Sequence, residues 1–321
     1  MSALDKMTTA TWDSLEVFFG DANNAEARIY ARLASEDAPP GAKLTGRVVG
    51  PHCAHAKTLS AAVPMLPKPS RHAPPWRQRA DYPQGEASGA DLLAEAIVPD
   101  PCFWSPDLPF MYRVVVELRQ ADKLLSTTVR MLGIRALGVR GDKLLLEGRP
   151  WVIRGAERAV LPPAELSEWR AADLAMVVEA PSDDLCDDAS RQGAWLLARV
   201  EGQSADLPAE LRRLARWPCV AAIVLDTDLM LPDSAVRSPR NVLLAQRRGR
   251  GAVFAPTIWA DVIACEASDP EQIAGRSAGV PLPIIAQCRG RWHDDLAAAR
   301  RACDELQRAL AGRGEFAGYL V

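Results

Sequence analysis

Residues 101–158 read PCFWSPDLPFMYRVVVELRQADKLLSTTVRMLGIRALGVRGDKLLLEGRPWVIRGAER, and the rest of the chain divides around them. Met111 to Leu118 is an apolar, β-branched run broken only by Arg113 and Glu117, which predicts a strand. Leu124 to Met131 predicts a second. The residues around Gln120, Ala121 and Asp122 suit the hairpin turn between them. Lys143 to Glu147 is a third strand candidate, ending at Gly148, and Trp151, Val152 and Ile153 begin a strand of a second domain.

Upstream, short strand-like runs recur at Leu15–Phe19, Ala27–Leu33, Leu44–Val49, Ala61–Met65 and Leu92–Val98. Residues 67–88 form a loop rich in Pro, Arg and Gly. Short strands separated by turn-forming loops predict a β-sandwich over residues 1–140. Downstream the rhythm changes, and buried runs alternate with helical segments. Leu174–Val178, Trp195–Val200, Val220–Leu225, Gly251–Phe254, Val262–Cys265, Leu282–Ala286 and Phe316–Val321 read as strands. Helices are expected from Ser182, a good N-cap, to Gly193, a good stop, and over Leu207–Arg216, Asn241–Arg247 and Asp294–Leu310. Eight strands counted from Val152 fit a (β/α)8 barrel over residues 141–321, although the pattern alone equally gives an open parallel sheet. Barrels usually take about 200 residues or more. The connecting helices and loops are therefore expected to be shortened.

Composition narrows the function classes. The chain has 321 residues, 48% of them hydrophobic, and a net charge of -3. That supports a sizeable core and speaks against a nucleic-acid partner. No apolar segment approaches the roughly 18 residues of a membrane span. No basic region followed by an apolar run opens the sequence, so a cytoplasmic protein with reduced thiols is the expectation. The seven Cys include no C-x-x-C pair. His52, Cys53 and His55 are the one His/Cys cluster, read as a loop; neither a metal nor a cofactor is expected.

The quoted stretch resembles the domain junction of glycoside hydrolase family 2, the β-galactosidase, β-glucuronidase and β-mannosidase group. Pro101 to Tyr112 matches P-x-L-W-S-P-E-x-P-x-L-Y. Gly133-Ile134-Arg135 matches G-[FI]-R, and Leu146 to Gly155 matches L-N-G-x-P-[VI]-x-[LI]-[KR]-G. The resemblance implies an immunoglobulin-like sandwich followed by a reduced TIM-type barrel. Weaker matches continue at Trp217-Pro218, at Ala260 to Ile263, at Pro283 to Gly290 and at Glu315 to Tyr319. The family's N-terminal sugar-binding-type sandwich has no counterpart in the residues before 100.

The family's reaction is retaining glycoside hydrolysis, with one carboxylic acid protonating the leaving oxygen and a carboxylate about 5 Å away attacking the anomeric carbon. The resemblance puts the acid/base at Asp228, one methylene short of the family's Glu. It puts the nucleophile at Cys288, or at Gln287 if the register slips by one; neither is a sugar nucleophile. The strand-two Arg falls on Val178 or Glu179, the His after it is replaced by Ala180-Pro181, and the acid ending strand three falls near Arg199. Scaffold motifs are kept and catalytic ones are missing, which implies an inactive member that binds a carbohydrate or protein partner or serves a structural role. The alternative is a retaining glycosidase with a rebuilt site drawn from Glu179, Glu201, Asp226, Asp228 and Glu266. Candidate ligand-binding residues are Glu179, Arg199, Asp226, Trp259, Glu266 and Trp292, with Trp76 in the Pro-rich loop as a further aromatic.

Overall fold

The computed structural model of the chain describes residues 12, 14–69, 91–159, 164–200, 207–226, 231, 241–248, 256–268, 270–277, 281–288 and 294–321. The Pro-rich loop and the strand expected at Gly251–Phe254 lie outside these residues, apart from the loop's first three positions. The chain forms two compact units. One comprises Met1–Cys102 and Phe110–Ile134, the other Phe103–Pro109 and Arg135–Val321.

The first unit is an immunoglobulin-like sandwich of antiparallel strands. They are β1 (Glu16–Ala22), β2 (Glu26–Leu33), β3 (Ala42–His52), β4 (Ala61–Lys68), β5 (Leu92–Pro99), β6 (Met111–Gln120) and β7 (Lys123–Leu132), in the order β1-β2-β5-β4-β3-β6-β7. Alternation builds its core: Ala27, Ile29, Ala31 and Leu33 of β2 are fully buried, as are Val114, Val116 and Leu118 of β6. The corner is made by β4, which changes partner between adjacent residues: Met65 pairs with Gly46 of β3, and Leu66 pairs with Glu95 of β5. Its two prolines, Pro64 and Pro67, fit a strand that bends out of a regular ladder. The other face of β5 carries a buried charge. Glu95 Oε1 accepts from Tyr30 at 2.9 Å and from Arg28 at 3.1 Å, and Oε2 lies 2.7 Å from Lys68 Nζ. Burial alone would raise the Glu95 pKa, but the hydrogen bonds from Lys68, Tyr30 and Arg28 outweigh it and hold the carboxyl below its usual range.

The second unit begins with a three-stranded sheet, β8 (Leu137–Arg140), β9 (Lys143–Leu146) and β10 (Arg149–Trp151). Glu147 and Gly148 join β9 to β10 with φ of 51° and 76°, the left-handed pair that a tight two-residue hairpin requires. The Leu-Glu-Gly-Arg motif is thus a turn. Trp151 ends that small sheet and does not start the barrel, which differs from the expectation that a barrel strand begins there.

The barrel itself comprises β11 (Ile153–Glu157), α1 (Leu166–Ala171), β12 (Ala175–Glu179), α2 (Asp183–Gln192), β13 (Leu196–Val200), α3 (Leu207–Ala215), β14 (Val220–Asp226), β15 (Leu243–Arg248), β16 (Val262–Ala267), α4 (Pro270–Ser277), β17 (Ile284–Cys288), α5 (Leu296–Leu310) and β18 (Gly318–Leu320). All neighbours are parallel, and the ring closes where Ile153 pairs with Gly318. The alternative of an open sheet is thereby excluded. The helix expected over Asn241–Arg247 is β15: Leu243, Leu244 and Ala245 are buried between β14 and β16, and tertiary pairing decides what a short apolar run cannot. Ser182 caps α2, its hydroxyl accepting from Leu185 N at 3.3 Å, and Gly193 ends it with φ of 76°. Burial of Asp183 in the first turn of α2 is outweighed by Arg213 and Arg216, which hold its carboxyl below the usual range.

The junction motif finds its purpose on α2. Trp104 is fully buried, its indole donates to Ser190 O at 2.7 Å, and it meets Trp195 edge-on at 4.6 Å. Pro106 lies so close to Gly193 that a Cβ there would be 2.1 Å from the Pro106 carbonyl oxygen.

Candidate functional site at the barrel mouth

In a closed parallel barrel, side chains alternate between the interior and the helix layer, and those at the strands' carboxyl ends form the mouth. Here the ends carry Glu157, Glu179, Arg199, Asp226, Arg247, Glu266 and Gln287. Three of them converge. Arg199 lies 2.7 Å from Glu157 Oε1, and Gln287 Nε2 donates to the same oxygen at 3.1 Å. They come from the first, third and seventh strands of the ring, the alternate-strand origin expected of one interior layer. Gln287 is 2% exposed. The Arg199 and Glu157 side chains retain 17% and 24% exposure, which puts them at the rim of that layer.

Alternation then fixes the orientation of Cys288. Since Gln287 reaches across β18 to Glu157, it faces inward, and Cys288 faces the other way. Cys288 is buried, its thiol 3.5 Å from the Ser268 carbonyl. Of the two residues that the family resemblance offers for the nucleophile position, the inward one is an amide.

The other candidates fall into three groups. Glu179 is exposed at the end of β12, and Glu266 stands 4.0 Å from Arg247, beyond hydrogen-bonding distance. Asp226 ends β14, its backbone paired with Arg247. Trp259 is 4% exposed and precedes β16, on the side of the barrel where strands begin, so its ring packs in the core and is not offered to a sugar at the mouth. Asp228 and Trp292, with Trp76 and Glu201, lie outside the described residues.

Glu157 was not singled out by sequence. The available signal was an acid at the last position of a barrel strand, but its partners, on two other strands, become visible only in the fold. Among the described residues no group of three or more His, Cys, Asp or Glu side chains could hold a metal. His52 Nδ1 lies 3.3 Å from Ser60 Oγ, and His55 N donates to Cys53 Sγ at 3.4 Å, as in an ordinary polar turn. Among the described residues no helix is long and apolar enough to cross a membrane.

Chemically the cluster is a charge pair with an amide, both contacts spent on one oxygen of Glu157. Glycoside cleavage by the two-carboxylate route needs a second carboxylate facing the first. The inward residue at the end of the seventh strand is Gln287, a neutral amide.

Residues 71–135 match the family model for glycosyl hydrolases family 2. A β-galactosidase of Oenococcus oeni is 34% identical over 68 residues, 21% of this chain and 7% of that protein. Among solved structures, a Bifidobacterium dentium β-glucuronidase complexed with coumarin-3-O-glucuronide is similar at TM-score 0.61 and 13% identity, over 96% of this chain and 59% of that one. A glycosyl hydrolase family 2 member from Bacteroides cellulosilyticus gives 0.59 and 15%, over 97% and 45%. A Ruminococcus gnavus β-glucuronidase in complex with D-glucaro-d-lactam gives 0.59 and 11%, over 96% and 60%. The chain therefore spans about half of the solved relatives it resembles, and at these identities the likeness is one of fold.

Proposed function

We propose for this chain, which resembles glycoside hydrolase family 2 proteins over part of their length, a role without glycoside cleavage, as a carbohydrate- or protein-binding or structural member of that fold. The observation that carries this reading is Gln287. It stands at the inward end of the seventh strand with its amide on Glu157, whose carboxylate also pairs with Arg199. A neutral amide attacks no anomeric carbon, and the one carboxylate it touches is already engaged on the oxygen nearest to it.

The alternative, a retaining glycosidase with a rebuilt site, would draw on Glu179, Glu201, Asp226, Asp228 or Glu266, to which the fold adds Glu157 at the mouth. The two readings separate on one experiment. The purified chain is assayed against chromogenic β-galactosides, β-glucuronides and β-mannosides, alongside Asp228→Ala and Glu157→Gln. The expected result is hydrolysis at the buffer rate for all three proteins. Turnover by the parent chain that disappears in either variant overturns the non-catalytic reading.

A further inference from the structure

In the first unit, residues of β3, β4, β5 and β6 and of the connections beside them line a groove of about 390 Å³. Its floor is core: Val48, Val98 and Tyr112 are 1%, 5% and 1% exposed. Its rim carries Lys57 and Leu59, from the connection between β3 and β4, and Asp100, just after β5.

Leu59 is 95% exposed. A single exposed leucine is ordinary, but the support beneath this one is not. Thr58 and Ser60, its two chain neighbours, both hydrogen-bond the Pro51 carbonyl, at 2.8 and 2.9 Å. The loop is thus fixed on each side of Leu59 and presents it outward at little further entropic cost on binding. The stretch of rim at Asp100 is fixed as well. Asp100 N donates to Ala25 O at 2.9 Å, and the residue is held at φ of 42°.

We propose that this groove is a self-association surface, in which two copies of the chain meet about a two-fold axis. The Leu59 side chain of each copy seats in the groove of the other, and Lys57 of each faces Asp100 of the other. A two-fold contact brings one surface against itself, so the surface must hold both halves of every complementary pair. Here the apolar knob and the apolar hole adjoin, and the cation and the carboxylate share one rim. That charge complementarity favours a second copy over an unrelated apolar ligand, which would leave both charges unanswered. The inference does not depend on whether the barrel cleaves glycosides.

The test is sedimentation velocity on the full chain from about 1 to about 100 µM, a range that brackets micromolar affinities, with circular dichroism to establish that each variant is folded. The expected result is a dimer that forms with rising concentration. Leu59→Asp should remain monomeric. Lys57→Glu should weaken the dimer at least tenfold, and adding Asp100→Asn to it should recover part of the loss by removing the new repulsion. The rate at which a maleimide labels Cys102, which also lines the groove, should fall as the parent dimerises. A parent chain that is monomeric throughout, a Leu59→Asp variant that dimerises like the parent, or a double variant no better than Lys57→Glu overturns the proposal.

Discussion

The Arg135 guanidinium donates to the Val220 carbonyl at 2.6 Å, at the first residue of the fourth barrel strand. The same side chain, 3% exposed, reaches the Pro218 carbonyl at 2.5 Å and the Asn241 carbonyl at 2.9 Å. One planar fork therefore ties together the beginnings of the fourth and fifth strands, and the Gly-Ile-Arg motif acts as a fastening for the barrel's base.

Replacing Arg135 by Met should destabilise the barrel by about 2–4 kcal/mol, because buried carbonyl oxygens lose their donor. Lys should not rescue it, since one ammonium cannot reproduce the fork. The shift of the urea midpoint of the barrel transition measures both.

Glu95 should make the sandwich acid-sensitive. Its folded pKa lies below the usual value of 4.5. Its contribution is therefore fully present above about 4.5 and is lost as the pH falls through the depressed folded value. Arg28 and Lys68 are 36% and 41% exposed, which discounts the charge effect. Glu95→Gln should cost about 1–3 kcal/mol at neutral pH. The gap between parent and variant should narrow below about pH 5, read from denaturant melts at a series of pH values.

Gly193→Ala should be costly for two reasons, a left-handed φ of 76° and the Pro106 carbonyl where the methyl would go. A loss of about 2–3 kcal/mol is expected. A change in Trp fluorescence should accompany it as Trp104 is displaced from Trp195. The thermal midpoint and the emission maximum report the two effects.

Arg199 and Glu157 should behave as a coupled pair. Removing Arg199 alone, as Arg199→Met, leaves the carboxylate without its cation and should cost more than the double change Arg199→Met with Glu157→Gln. A double-mutant cycle on unfolding free energy should give a coupling of about 1 kcal/mol or more.

Much of the architecture could be read from local pattern. The period-two runs of β2 and β6 and the buried run of β14 are strong signals because burial on one or both faces dictates them. The β15 segment reads as a helix in isolation because Asn241 to Arg247 is too short to distinguish strand from helix without its neighbours. β8 and β10 pass as connection because each has four residues or fewer. The site was harder still. A Gln or Cys in the seventh strand can be assigned an inward face only when a partner is known, and Glu157, the partner, lies 130 residues away in the chain.

Trp104 belongs to the second compact unit although the strands β6 and β7 of the first unit follow it in the chain. During synthesis the peg is therefore made before its socket. The indole emerges well ahead of Ser190 and Trp195, and the barrel can set its second helix only after a stretch of the other unit has passed through. No single cut in the chain separates two self-sufficient halves. A fragment that begins at Arg135 would lack the tryptophan that fills α2's inner face, and one that ends at Ile134 would carry that tryptophan with nowhere to put it.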